Sequence, residues 1–231
     1  MTFVRPYRCL RICAALLLSA AGLLQVQPNA DAGDYANVEV LGFTSDGHQF
    51  AFEQYGLQDG SGFPYSDIFV VDVATDSWVK PSPFRFLDTE VADSADPATV
   101  IADARHATHQ AAADAGLLQA PLYGGFTAGH NPVTELSADS HVMTVTPRLI
   151  VPPIDDPMEL ALEEISLPSP TCASYGADTR GFNLTLTYRG QTRVLNQDTS
   201  LPKSRGCPLR YRIDRIITFY PDGQPPVFAV L

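Results

Sequence analysis

Residues 55–65, YGLQDGSGFPY, gather the groups best suited to holding a ligand. Glycines at 56, 60 and 62 free the backbone to turn its N–H groups inward on an anion. Gln58, Asp59 and Ser61 offer polar contacts, and Tyr55, Phe63 and Tyr65 offer apolar walls. That mixture is what a small-ligand or glycan site uses, so Gln58, Asp59, Ser61, Phe63 and Tyr65 are the expected binding residues. It is not a phosphate loop, because the GK[ST] ending is absent. The plainer alternative is a compact loop whose aromatic rings cover the sheet beneath it.

His106 and His109 stand three residues apart in a helical stretch, with Asp103 one turn before. Helical spacing brings such side chains together, and with His130 or His141 they could hold a metal ion and support metal-assisted hydrolysis. The glutamate and spacing of HExxH are missing, so a solvated helix face is the ordinary explanation. Asp46, Asp59, Asp67, Asp72 and Asp76 lack the spacing of a calcium loop and read as turn residues. There is no GxSxG elbow and no dinucleotide fingerprint. The sequence therefore assigns no catalytic residue and no cofactor.

Arg5, Arg8 and Arg11 precede an uncharged apolar run, residues 12–24, and Ala30-Asp31-Ala32 offers small residues for cleavage. This is the pattern of a secretory signal peptide over residues 1–32, followed by a single mainly-β domain over 33–231. The run is too short for a spanning helix, and no later stretch is apolar enough to insert stably in a membrane. Removing residues 1–32 takes away three arginines and one aspartate. The exported chain then has 12 basic against 25 acidic residues, a net charge of −13. Nucleic acid and anionic membrane surfaces are disfavoured partners. Cys172 and Cys207 survive cleavage, and an even pair in an oxidising compartment predicts a disulfide.

Alternating and doubly apolar runs predict strands over 37–43, 49–55 and 67–73, with a short edge strand carrying Trp78. Ser45-Asp46-Gly47 is a turn, 56–66 a glycine-rich loop, and Pro81 and Pro83 end the meander. Asp96 and Pro97 start the one strong helix, around 97–115, with Val100, Ile101, Ala104, Ala111, Ala115 and Leu118 at helical spacing. Residues 119–139 read as a long loop. Residues 141–151 read as a strand interrupted at Pro147, and alternation favours a strand from Met158 to Glu163 over a capped helix. A hairpin over 181–188 and 191–195, a strand over 209–220 and a last strand at 228–231 follow. The fold class is mainly β: antiparallel meanders, propeller-like or sandwich-like, with one helix.

The pattern FxxDGxxFAF…DIFVVDVATDSW resembles the repeat of TolB-like periplasmic propellers. Phe219-Tyr-Pro-Asp-Gly near the C-terminus echoes Phe43-Thr-Ser-Asp-Gly, without the several copies a propeller needs. The segments GDYANVEVLGFTSDGHQFAFEQYGLQDGSGFPYSDIFVVD and YRIDRIITFYPDGQPPVFAVL together resemble a bacterial family of predicted secreted proteins of unknown function. That resemblance implies export and transfers no catalytic residues. The function expected is an exported, periplasmic or secreted, non-enzymatic binding or interaction protein for a small ligand or an envelope protein. A metal-assisted envelope hydrolase and a structural envelope component are the alternatives.

Overall fold

The computed structural model describes residues 36–231 apart from Asp93 and Tyr175. The signal segment expected over 1–32 lies outside them. Three antiparallel sheets and one long helix make up the fold. Strands β1 (Asn37–Phe43), β2 (Gln49–Leu57), β3 (Pro64–Asp72) and β4 (Ser77–Trp78) pair in sequence order, and β5 (Phe84–Leu87) also pairs with β3. The meander is therefore as expected, but Pro81 and Pro83 do not end it. They interrupt one edge of β3, which β4 covers at Val71 and Asp72 and β5 covers from Tyr65 to Ile68. Between them the Ser82 hydroxyl accepts the Val70 N–H at 2.7 Å, so the gap leaves no unpaired donor there.

β2 and β3 stay paired out to Leu57 and Pro64, which shrinks the expected loop 56–66 to its tip, 58–63. Gly56 pairs with Tyr65 in this extension, and the Tyr65 ring lies in ordinary contact distance, 3.5 Å, of where a Gly56 Cβ would be.

Helix α1 (Pro97–Asp114) begins as its sequence dictates. The Asp96 carboxylate accepts from Thr99 N–H at 3.0 Å and from the Thr99 hydroxyl at 2.8 Å, with Pro97 in the first turn. Its buried stripe is Ala104, Thr108 and Ala112, rotated from the expected face, and Ala111 and Ala115 are exposed. The rotation follows from polar contacts to the sheet, described below. Ala112 packs with Ala51, Ile68 and Val70, so one face of the first sheet is closed by the helix.

The second sheet orders β10 (Gln191–Gln197), β9 (Arg180–Tyr188), β8 (Met158–Ser166) and β7 (Val142–Val145). The strand from Met158 and the hairpin are as expected. The predicted strand 141–151 stops at Val145, where Pro147 interrupts it. Arg148 then clasps Asp155 through two hydrogen bonds of 2.7 Å. The clasp closes a loop on which Leu149 is 82% and Val151 89% exposed.

The third sheet orders β12 (Val227–Val230), β11 (Arg215–Phe219) and β6 (Phe126–His130). β6 lies inside the stretch read as loop. Its sequence, FTAGH, holds two strand formers, Phe126 and Thr127, interrupted by Gly129, which is kept small by the crowding side chains of Met143 and Val145. The predicted strand 209–220 is regular only from Arg215. Before that, the backbone is held by other partners: Arg180 N–H donates to Pro208 O, and Ile213 N–H to Ser140 O.

β11 is the middle of the molecule's core. Ile216 faces a cluster with Met143, Val145, Met158, Leu160 and Ile213, and Ile217 faces a second one with Phe43 and Phe50. The echo of Phe43-Thr-Ser-Asp-Gly in Phe219-Tyr-Pro-Asp-Gly acquires a physical meaning here. The two hairpins pack side by side, with the Phe43 and Phe219 rings stacked at 5.1 Å. The later copy is a two-strand hairpin joined to β6 rather than a second four-strand blade, so the propeller resemblance goes no further than the first meander. Cys172, in the short helix α2 (Pro170–Ala173), is bonded to Cys207, with Cα atoms 5.6 Å apart.

Candidate functional site

The glycine loop is ordered by its own groups. Gln58 N–H donates to Phe63 O at 2.9 Å and Gly62 N–H to Gln58 O at 3.0 Å. The Ser61 hydroxyl donates to Gln58 Oε1 at 3.1 Å. Gln58 and Ser61 are thus turned toward each other, Asp59 is exposed, and Phe63 is half-buried. Tyr65 does not belong to the tip. It sits on β3, its ring over Gly56.

From Tyr65 a continuous face leads away from the loop. In a strand, alternate side chains share a face, so Tyr65, Asp67, Phe69 and Val71 line one side of β3, opposite the helix. Cross-strand pairing adds Gln54 and Phe52 from β2, Val38 and Val40 from β1, Arg85 and Leu87 from β5, and Trp78 from β4. Near β1 and the β1–β2 turn this face is aromatic and covered by the third sheet. Phe52 stacks on Phe69 at 4.9 Å, and Phe69 meets Trp78 at 5.2 Å. Along the edge covered by β4 and β5 the face opens. Trp78 is 43% and Leu87 44% exposed.

Asp67 sits in the open part, and its side chain is only 22% exposed. Its ion-pair partner among the described residues is Arg85, whose Nε stands 3.9 Å away, beyond hydrogen-bond distance. Burial pushes the Asp67 carboxyl above the ordinary aspartate range, and the Arg85 charge offsets this only in part. The face therefore presents an underbonded carboxylate, a cation, an amide and two aromatic rings.

The helix side of the same sheet is the opposite case. Glu53 is fully buried between β2 and α1. Its Oε1 accepts from the Ser66 hydroxyl at 2.9 Å and from Arg105 Nε at 3.0 Å. Its Oε2 accepts from Arg105 Nη2 at 2.8 Å and pairs with His109 Nε2 at 3.0 Å. These four contacts fill the acceptor sites of a carboxylate. Burial pushes this carboxyl up, but the Arg105, His109 and Ser66 donors outweigh it and hold it below the ordinary glutamate range. Arg105 also lies 4.1 Å over the Tyr55 ring and pairs with Glu39. Thr108 donates to Ala104 O at 2.8 Å and comes within 3.3 Å of Ser66 O. This network fixes the rotation of the helix and leaves Glu53 no lone pair for chemistry.

The other histidines are spread out. His106 is exposed on the far side of α1, while His109 is turned inward to Glu53. His130 lies 3.8 Å from Asp214, and His141 lies 4.0 Å from Glu164. Among the described residues, no group of three or more His, Cys, Asp or Glu side chains is placed to hold a metal ion. Nor is any helix among them long and apolar enough to cross a membrane.

Sequence reasoning found Tyr65 and the loop at the end of the open face, and missed Asp67, Arg85 and Gln54. A signal existed in the alternation of β3. Ser66, Ile68 and Val70 are one buried set, so Asp67 had to point the other way. No curated protein and no solved structure matches the chain. A family model does match, over residues 51–231, and its description is predicted secreted protein (DUF2259).

Proposed function

The chain belongs to that family of predicted secreted proteins, and we propose that it is a non-enzymatic binding protein which holds its ligand on the open face of the first sheet. Its disulfide accords with a place outside the cytoplasm. The observation that carries the reading is Asp67, a carboxylate only 22% exposed and without a hydrogen-bonded partner among the described residues, on the same open face as the half-exposed Trp78. A partly buried carboxylate with only a distant ion pair is a net cost to the fold, and such groups gather where a ligand supplies the missing hydrogen bonds. Tyr65 would form the far wall, with Gln58, Asp59, Ser61 and Phe63 at the rim.

Trp78 is the chain's single tryptophan, so its fluorescence reports on this face alone. The test is a panel of sugars, amino acids, short peptides and polyamines, read by Trp78 emission and melting temperature. A ligand that moves both in the native protein, and neither in Asp67→Asn, is the expected result. A ligand that raises the melting temperature without changing Trp78 emission would place binding elsewhere.

A second reading has its own observation. The loop clasped by Arg148 and Asp155 exposes Leu149, Val151 and Ile154 to solvent, which suits contact with an envelope protein. Val151→Asp should abolish such a contact and leave ligand binding on the open face unchanged.

A further inference from the structure

We infer that the ligand of this open face is an extended, uncharged oligosaccharide; the inference rests on the binding reading above and names its chemistry. Four features of the face converge on it.

The first is the pair of aromatic platforms. Trp78 pairs with Val71, and Tyr65 lies six residues back along β3, its ring in contact distance of Gly56. At the rise of a strand the two rows are about 20 Å apart. That distance suits a chain of several sugar rings rather than one. Pyranose rings present C–H faces to aromatic rings, and an indole with one side on Phe69 and much of its surface in water is such a partner.

The second is what lies between the platforms. Asp67 accepts only, Arg85 donates only, and Gln54 does both. Neighbouring hydroxyls on a sugar ring donate and accept together, so they can satisfy the Asp67 carboxylate while accepting from Arg85. Hydrogen bonds to charged groups of this kind are the stronger ones.

The third is charge. The described face carries one cation, Arg85, set against Asp67, and the exported chain is strongly acidic. Anionic ligands are repelled by both, and a neutral ligand is not.

The fourth is shape. The face is an open sheet surface, and β4, Ser82 and β5 already bond the adjoining edge of β3. A peptide adding as a strand is therefore excluded from that edge. A polymer laid across the side chains is not.

The experiment uses the exported full-length chain with cellohexaose, chitohexaose and maltohexaose. The matching disaccharides, an oligogalacturonate of equal length and a set of tripeptides serve as controls. Trp78 emission gives affinities for the native protein and Asp67→Asn, and calorimetry gives them for Trp78→Ala. Melting temperature and circular dichroism establish that both variants fold. At least one neutral hexasaccharide should bind. Its affinity should fall about ten-fold or more in each variant, and its disaccharide and the anionic oligomer should bind more weakly. Binding of tripeptides alone would overturn the saccharide assignment and leave the binding reading standing. Saccharide binding unaffected by either variant would also overturn the assignment, because the site would lie elsewhere. Silence of every probe in both emission and melting temperature would overturn both.

Discussion

Glu53 and Asp67 sit on adjacent strands of one sheet and face opposite ways, and their environments have opposite consequences. Glu53 is held below its ordinary range, so it stabilises the fold above the unfolded-state value of about 4.3, and that contribution is lost as pH falls through the folded-state value. Asp67 is raised. Its ionised form is penalised in the folded state, the penalty is full at neutral pH, and it is relieved as pH falls through the raised value. Glu53→Gln should lower stability by about 3 kcal/mol, because Arg105 and His109 would lose their fully buried counter-charge, and Arg105 would keep only the exposed Glu39. The melting temperature at neutral pH would drop by roughly 6–12 °C, and acid sensitivity below pH 4 should flatten in the same variant. Asp67→Asn should instead raise the melting temperature by about 1–3 °C. A fall in that variant would mean that Asp67 is a structural group after all.

At the scale of elements, α1 is held by small side chains beneath a polar clamp. Ala104 and Ala112 are almost fully buried against the sheet. Ala112→Leu should cost about 1–3 kcal/mol by overpacking, whereas Ala111→Leu, on the exposed face, should be close to neutral in thermal denaturation. The helix, its cap and the first meander were legible in the sequence because their signals are local: Asp96 and Pro97, the Asp-Gly turn, the alternation of β2. The rotation of the helix was not, because it is set by Arg105 and His109 reaching Glu53 more than fifty residues earlier. β6 was hidden for a related reason. FTAGH becomes a strand only because β11 offers it an edge. In the site, the glycine loop announced itself by composition, while Asp67 and Arg85 meet only across a strand pair and carry no motif. The histidines drew attention by type, and the fold sends them to four separate surroundings.

Over the whole molecule, the second sheet and the segment returning from it are tied by Cys172–Cys207, which spans 35 residues. Loop-closure entropy makes this bond worth about 3–4 kcal/mol. Reduction, or Cys172→Ser with Cys207→Ser, should lower the melting temperature by roughly 6–16 °C. An unchanged melting temperature on reduction would show that the loop is already constrained by Arg205, Asp198 and Tyr211, which meet beside it.

The stacking of Phe43 on Phe219 also bears on the order in which the protein can be made. Phe43 meets Phe50 within the first hairpin, but its stacked partner Phe219, and β6's strand partner, both lie in β11. An emerging chain therefore has no complete core until residues 215–219 have left the ribosome. The first hairpin, β6 and β7 therefore wait on β11, and this part of the interior shuts only when that strand docks.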